Sequence, residues 1–312
     1  MKIVFLDRKT LGDDITLEQF EHFGEVVTYE STKPNETLNR IVGAQIVVTN
    51  KVVIDKNIMD NSDIKLICVA ATGMNNIDLE YAKSKNIQVK NVAGYSTSSV
   101  AQLTFSLALQ FVQKIGYYDN YVKSGGWEKS DIFTNLDKPF HELDNKTWGI
   151  VGLGNIGKSV AKIAESFGCN VQFYSTSGAN NNTTYNKKIL DELLKTSDII
   201  SIHSPLNDAT SNLINSTNIS DIKDGAIVLN LGRGGIVNEL DISDAINSNS
   251  DIYYGTDVVT KEPIEVNSPL LSIINKERIL FTPHIAWASK EARVRLLDGI
   301  EKNIKEFVIQ YV

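Results

Sequence analysis

Three side chains in the C-terminal half of this 312-residue chain have the chemistry to hold a carboxylate and move a proton. Arg233 stands in Asn230-Leu231-Gly232-Arg233-Gly234-Gly235, Glu262 in Thr260-Lys261-Glu262-Pro263, and His284 in Leu280-Phe281-Thr282-Pro283-His284. A guanidinium offers a planar fork of donors that clamps a carboxylate and polarises the carbonyl beside it. An imidazolium hands a proton to a carbonyl oxygen as hydride arrives, and a neighbouring carboxylate keeps that imidazole charged near neutral pH. Taken singly, each has a plainer explanation: a surface ion pair, a solvated turn and a hydrogen-bonded core histidine. Taken together they weigh more, because each follows an apolar run that reads as a strand, and strand ends are where α/β sheets bind ligands. His203, closing another such run in Ile202-His203-Ser204-Pro205, suits the wall of a cofactor cleft better than acid–base work. His22 and His141 carry no supporting pattern.

Upstream, Gly152-Leu153-Gly154-Asn155-Ile156-Gly157 matches G-x-G-x-x-G between a predicted strand and a predicted helix. In a dinucleotide-binding turn the first glycine permits the tight turn, the second lets a pyrophosphate approach the backbone, and the third allows close helix–strand packing. The phosphate charge then sits at a helix N-terminus, where free N–H groups favour anions. A structural βα turn with no ligand is the competing explanation, and the placement between strand and helix argues against it. The next strand, 171–174, would end in an acidic residue if ribose hydroxyls were held in the usual way for NAD. Ser175 and Thr176 stand there instead, followed by Ser177 and Gly178, and no Arg or Lys appears before Lys187. Hydroxyls bond ribose oxygens or a phosphate, so this position does not decide between NAD and NADP. The reading leans to NAD, because a phosphate without a cationic partner is poorly compensated.

The elements that must position these groups follow from hydrophobic pattern. Short β-rich runs at 3–6, 25–29, 46–49, 64–69 and 87–90 alternate with helical stretches such as 16–23, as in a parallel, doubly wound sheet. The nearly unbroken apolar run at 64–70 fits a strand covered on both faces. A long helix is predicted over 98–121, where Val100, Leu103, Leu107, Phe111 and Ile115 fall on one face. Ser124-Gly125-Gly126 stops it, and an irregular stretch to Asn145 carries Trp127, Phe133 and Phe140; structureless loops of this length are usually functional or interfacial. A second series has strands at 147–151, 171–174, 199–203, 226–230, 253–258 and 279–282, with helices at 156–167, 189–194 and 240–246. An amphipathic helix from about Ser289 to the C-terminus could pack on either series.

Composition narrows the function classes. The length suits two domains with their own cores. With 31 basic and 38 acidic residues the net charge is −7, which leaves no footprint for nucleic acid or for anionic lipid. Cys68 and Cys169 lie far apart in apolar stretches and read as reduced, buried thiols of a cytoplasmic protein. No Cys/His cluster or H-x-x-x-H suggests a metal. The N-terminal apolar run is too short for a signal peptide, and no stretch reaches the length of a membrane span.

With these motifs in place, the sequence resembles the D-isomer-specific 2-hydroxyacid dehydrogenases along essentially its whole length. The glycine loop, Leu231-Gly232-Arg233-Gly234-Gly235, Glu262-Pro263 and Thr282-Pro283-His284 appear in family order. Within the family it looks most like the glycerate dehydrogenases (hydroxypyruvate reductases), through the stretch from Val69 to Asp78, Gly126-Trp127 with Ser130 and Phe133, and His284-Ile285-Ala286-Trp287-Ala288-Ser289. The resemblance implies two Rossmann-like α/β domains with a cleft between them, a substrate domain of 1–98 plus 286–312 and a dinucleotide-binding domain of 99–285. It implies Arg233 as substrate clamp, Glu262 as partner of the histidine, and His284 as proton donor and acceptor. Backbone N–H groups near Thr72, Gly73, Met74 and Asn75 would hold the substrate carboxylate. Thr97 would lie near the nicotinamide, Asn155 and Ile156 at the pyrophosphate, Ser175 and Thr176 at the ribose, and His203 and Pro205 along the cleft. Leu231, Arg233 and Asp257 would border the nicotinamide, with Asp257 bonding its carboxamide. A homodimer is implied too, with Trp127 and its aromatic neighbours suited to a dimer arm. Ser175 departs from the family pattern. The implied reaction is hydride transfer between NAD(H) and a small 2-oxo acid, foremost hydroxypyruvate. Glyoxylate, pyruvate or a branched-chain 2-oxo acid are alternatives, and a dinucleotide-sensing regulator on the same fold is a more distant one, disfavoured by the presence of all three catalytic candidates.

Overall fold

In the computed structural model, which describes residues 1–311, the chain forms two compact units. The first comprises Met1–Ser96 and the segment from Trp287 onward; the second is Thr97–Ala286. The first boundary falls where a helix begins, two residues before the expected one.

In the first unit, β1 (Lys2–Phe5), β2 (Glu25–Thr28), β3 (Ile46–Thr49), β4 (Leu66–Val69) and β5 (Gln88–Lys90) form a parallel sheet in the order β2-β1-β3-β4-β5. Side chains alternate between its faces, so each central strand feeds two cores. Ile3, Phe5, Ile46, Val48, Leu66 and Cys68 face the C-terminal helix, Lys290–Tyr311, through its Ala292, Leu296, Leu297, Ile300, Ile304 and Phe307. On the other face Val4, Val47, Ile67 and Val69 meet Ile41, Ile58, Met59 and Ala82, drawn partly from α1 (Thr37–Arg40), α2 (Lys56–Asp60) and α3 (Leu79–Ser84) and their flanks. The C-terminal helix, which periodicity left unassigned, therefore belongs to this core. The stretch expected as a helix at 16–23 is a 3-10 turn, Glu18–Phe23, anchored by buried Phe20.

In the second unit, seven parallel strands run in the order β12-β11-β10-β9-β6-β7-β8: β6 (Thr147–Val151), β7 (Asn170–Tyr174), β8 (Asn186–Lys187), β9 (Ile199–Ile202), β10 (Ala226–Asn230), β11 (Ile252–Thr256) and β12 (Ile279–Phe281). The chain leaves β6 toward β7 and β8, then returns to β9 on the other side of β6. The sheet thus has a switch point between β6 and β9, the place where open α/β sheets take ligands. All strands being parallel, every strand-to-loop exit carrying a candidate residue lies on one edge.

The predicted long helix is two helices, α4 (Thr97–Gln113) and α5 (Ile115–Lys123). Lys114 between them has φ of 52°, which ends the first helix, and Tyr117 and Tyr118 N–H groups restart the second on the Lys114 carbonyl. Only α4 is core: Phe105, Leu107, Ala108 and Phe111 are buried, whereas α5 buries nothing. Gly255 of β11 lets α4 close in, since a Cβ there would stand 3.2 Å from the Phe111 ring. The irregular stretch after α5 exposes Trp127, Ile132, Phe133 and Leu136, Phe133 to 88%. The remaining helices of this unit are α6 (Asn155–Ser166), α7 (Leu190–Thr196) and α8 (Glu239–Asn247). Among the described residues no helix is long and apolar enough to cross a membrane.

The assignment of the C-terminal helix to the first core has a measurable consequence. Ile300→Ala should lower unfolding stability by about 2–5 kcal/mol, because Ile300 is fully buried and leaves a cavity. Val294→Ala on the exposed face of the same helix should cost less than about 1 kcal/mol. Urea titrations of both variants decide it; equal losses would contradict the packing described.

Candidate functional site

The glycine loop joins β6 to α6, and its geometry separates the roles of its glycines. Gly152 has φ of 94°, and a Cβ on it would meet Ser204 at 3.1 Å. At Gly157 a Cβ would collide with the Gly152 carbonyl at 2.3 Å, so only glycine lets α6 start so close to the strand. A Cβ at Gly154 would meet nothing within 4 Å; the space before it is open. No side chain caps α6. The N–H groups of Asn155, Ile156 and Gly157 therefore have no partner among the described residues. Helix-start donors of this kind, facing open space, suit a pyrophosphate.

Across the switch point, the end of β9 leaves three polar atoms without partners. Nδ1 and Nε2 of His203 and Oγ of Ser204 are buried and form no hydrogen bond among the described residues. Buried polar atoms without partners are rare and call for one. A dinucleotide with hydroxyl, phosphate and amide groups could supply such partners, and the open glycine loop stands on the neighbouring strand. These observations fit the cofactor that the sequence pattern implies. Burial pushes the His203 imidazole down to about 3, so it is neutral at physiological pH. Pro205 follows, its carbonyl accepting the Thr210 hydroxyl at 2.6 Å.

Arg233 leaves β10 on a loop shaped by Asn230. The Asn230 side chain donates to the Arg233 carbonyl at 2.9 Å and accepts from the Gly232 N–H at 3.1 Å. The guanidinium donates to the Gly232 carbonyl at 2.8 Å and makes no ion pair among the described residues, so most of its donors remain free for an anion. Leu231, beside it, is buried. Gly234 permits the loop to pass the segment carrying Glu262, for a Cβ there would lie 2.1 Å from the Val259 carbonyl. That segment is fixed in turn by Glu239 of α8, which accepts from the N–H of Thr260 at 2.5 Å and from its hydroxyl at 2.8 Å.

Glu262 and His284 are in contact. Nδ1 of His284 lies 2.6 Å from Oε2 of Glu262, whose Oε1 accepts from the Val259 N–H at 3.3 Å. With the carboxylate accepting at Nδ1, the proton-exchanging nitrogen of His284 is Nε2. His284 adopts φ of 54°, unusual for a residue with a side chain. Asp257 holds it there. The His284 N–H donates to the Asp257 carbonyl at 2.8 Å. The Asp257 carboxylate takes the Thr282 hydroxyl at 2.6 Å, the Ile285 N–H at 2.8 Å and the Ala286 N–H at 2.9 Å. Burial pushes the Asp257 carboxyl above the usual range, and these hydrogen bonds oppose that shift. This carboxylate, given a carboxamide contact by resemblance, thus shapes the loop on which the histidine stands. Thr97 opens α4 near the same loop: two residues on, the Ser99 hydroxyl donates to the Ala286 carbonyl at 2.6 Å.

At the end of β7, Ser175 is buried and its Oγ accepts from the Asn180 N–H at 3.2 Å. The Asn180 side chain donates to the Leu153 carbonyl at 2.8 Å, tying this turn to the glycine loop. Thr176 is half-buried beside it. In the first unit, the loop after β4 has its own open donors: the N–H groups of Thr72, Gly73, Met74 and Asn75 bond to nothing among the described residues. Its shape comes from the Asn91 side chain on the Thr72 carbonyl at 2.5 Å and from Met74 packed against the core. No group of three or more metal-ligating side chains exists among the described residues.

Sequence reasoning missed Asn230, Glu239 and Asn180. Their work is to hold loops, and only the fold brings them to the segments they hold.

Comparison with known proteins identifies the family. Residues 105–286 match the family profile described as D-isomer specific 2-hydroxyacid dehydrogenase, NAD binding domain. A hydroxypyruvate reductase of Blautia hydrogenotrophica is 39% identical over 99% of this chain and 97% of its own. A glycerate dehydrogenase of Methylorubrum extorquens is 36% identical over 98% and 96%. Among solved structures, D-lactate dehydrogenase of Aquifex aeolicus, complexed with NAD and lactic acid, superposes with a TM-score of 0.82 at 26% identity, covering 99% of this chain and 96% of that one.

The buried, neutral His203 predicts a pH dependence. An unfolded histidine takes up a proton below pH ~6.5, while the folded one resists until about 3. The unfolded chain then binds more protons, so this group's share of stability is intact above pH ~6.5 and declines on acidification by up to ~1.4 kcal/mol per pH unit. Melting temperatures measured between pH ~6.5 and ~5 should fall less steeply for His203→Phe than for the parent. Parallel slopes would contradict it.

Proposed function

Because the chain belongs to the D-isomer-specific 2-hydroxyacid dehydrogenases, we propose that it interconverts hydroxypyruvate and D-glycerate using a nicotinamide dinucleotide held on the second unit. The observation that carries this reading is the 2.6 Å contact between His284 and Glu262, set beside an arginine without a carboxylate partner. The two relatives named for these substrates, each matched along nearly its full length, support hydroxypyruvate over other 2-oxo acids. The free, buried thiols of Cys68 and Cys169 support a cytoplasmic setting.

When bound, the dinucleotide supplies or accepts the hydride; the chain's own groups do the rest. In reduction, His284 gives its Nε2 proton to the carbonyl oxygen as C2 gains hydride, so alkoxide charge is quenched as it forms. Glu262 accepts from Nδ1–H, fixing the orientation of the imidazole and leaving Nε2 to face the substrate. Arg233 takes the substrate carboxylate and draws electron density from the adjacent carbonyl. The open N–H groups at Thr72, Gly73, Met74 and Asn75 of the first unit support the carboxylate-binding role that the resemblance gives them. In oxidation the neutral Nε2 accepts the hydroxyl proton.

Steady-state assays crossing NADH and NADPH with hydroxypyruvate, glyoxylate, pyruvate and a branched 2-oxo acid test the substrate. The highest kcat/KM should belong to hydroxypyruvate; a clear preference for another acid, or no turnover of any, would overturn the reading. His284→Ala should lower kcat by roughly 10²–10⁴-fold while dinucleotide affinity is kept. That split also separates an enzyme from a dinucleotide sensor.

The segment 124–145 supports a homodimer in which it forms the contact. Its exposed Trp127, Ile132, Phe133, Leu136 and Phe140 make a dense apolar series on a stretch without helix or strand, and patches of this kind mark association surfaces. The segment holds its shape through the Trp127 indole N–H on the Phe133 carbonyl at 3.1 Å and the Tyr118 hydroxyl on the Lys138 carbonyl at 2.5 Å. Light scattering should give a dimer for the parent and a folded monomer for Phe133→Asp. A monomeric parent would contradict the assignment.

A further inference from the structure

The end of β7 is where the second unit meets either a ribose 2′-hydroxyl or a 2′-phosphate, and an acidic side chain there selects the hydroxyl by repelling phosphate. Ser175 occupies that position, with no charge to repel anything. Along the sequence the nearest following cation, Lys187, lies twelve residues on. The fold removes that distance. Lys187 lies on β8, the sheet's edge strand, directly beside Phe173 of β7. Its side chain runs toward the strand ends and donates from Nζ to the Gly178 carbonyl at 3.1 Å.

Gly178 closes the turn Ser175-Thr176-Ser177-Gly178, its N–H bonded to the Ser175 carbonyl at 3.1 Å. A four-residue turn brings its ends within about 7 Å, so the ammonium, bonded at Gly178, stands at one end of a turn whose other end is Ser175. Lys187 forms no ion pair among the described residues, in contrast to its neighbour Lys188, which Glu192 neutralises at 3.2 Å. Two of its N–H donors remain. The turn adds two hydroxyls: Thr176, which makes no hydrogen bond among the described residues, and Ser177, whose Oγ accepts from the Ala179 N–H at 3.3 Å and keeps its own proton to donate. A phosphate needs a cation and a set of donors converging on its oxygens, and this turn offers both.

We propose that Lys187, with Thr176 and Ser177, forms a 2′-phosphate site, so that this chain binds NADP(H) more tightly than NAD(H). The proposal rests on the dinucleotide-binding reading above and assigns Lys187 as the residue that sets cofactor choice. It adds at the turn a cation that the order of residues along the sequence did not place there.

Isothermal titration with 2′,5′-ADP, ADP, NADPH and NADH tests it without recourse to turnover. At low salt 2′,5′-ADP should bind about five- to tenfold tighter than ADP, the scale of one or two charge-assisted hydrogen bonds at a solvated site. Added salt should narrow the gap. Lys187→Ala should erase the preference while leaving ADP and NADH affinity unchanged, and Lys187→Arg should retain it. Ser175→Asp should weaken 2′,5′-ADP and NADPH selectively. Equal affinity for 2′,5′-ADP and ADP, or a preference untouched by Lys187→Ala, would overturn the proposal while NADH binding left the parent reading standing. Failure of all four ligands to bind would overturn both.

Discussion

The pairing of His284 with Glu262 depends on one buried carboxylate. Asp257 leaves the end of β11 and gathers the Thr282 hydroxyl and the Ile285 and Ala286 N–H groups, while its own carbonyl receives the N–H of His284. The four bonds bend the chain after β12 into a bracket and hold His284 at a positive φ. That conformation turns Nδ1 onto Glu262. An anion buried at this depth is tolerated only because donors surround it, so the loop's shape and the carboxylate's burial support each other. Remove the carboxylate and a hydroxyl and two backbone donors lose their acceptor, with His284 standing between them.

Around that bracket the parallel sheet does the gathering. The glycine loop, the turn after β7, His203, Arg233, Glu262 and His284 follow β6, β7, β9, β10, β11 and β12, and parallel pairing delivers all of their exits to one edge. The loops are then locked by side chains that take no part in chemistry. Asn230 shapes the arginine loop, Glu239 pins Thr260, and Asn180 ties the turn after β7 to Leu153. Gly234 and Gly157 matter for a related reason, since each marks a place where two backbones pass too closely for a Cβ.

Much of this was legible in the sequence because it is local. The glycine spacing lies within six residues, and the apolar run of β4 announces a strand covered on both faces. Arg233, Glu262 and His284 could be singled out because each follows such a run. What escaped is nonlocal or carries no compositional mark. A lysine at positive φ has no signature, so the break at Lys114 was invisible and α4 and α5 read as one helix. A two-residue strand such as β8 is too short to show a period, which hid the return of Lys187 to the turn after β7. Periodicity showed that the C-terminal helix had an apolar face but not which core would receive it. The role of Asp257 as a bracket requires knowing that residues 282 to 286 return to it.

The most direct test is the proton on Nδ1 of His284, observed by NMR in protein carrying ¹⁵N-labelled histidine. The account predicts a strongly deshielded imidazole N–H resonance in the parent, arising from its bond to the Glu262 carboxylate. It predicts loss of that resonance in Asp257→Asn, because the amide must set an N–H group against the Ile285 or Ala286 N–H and spring the bracket. Persistence of the signal, unshifted, in Asp257→Asn would show that the dyad forms without the carboxylate and would contradict the account.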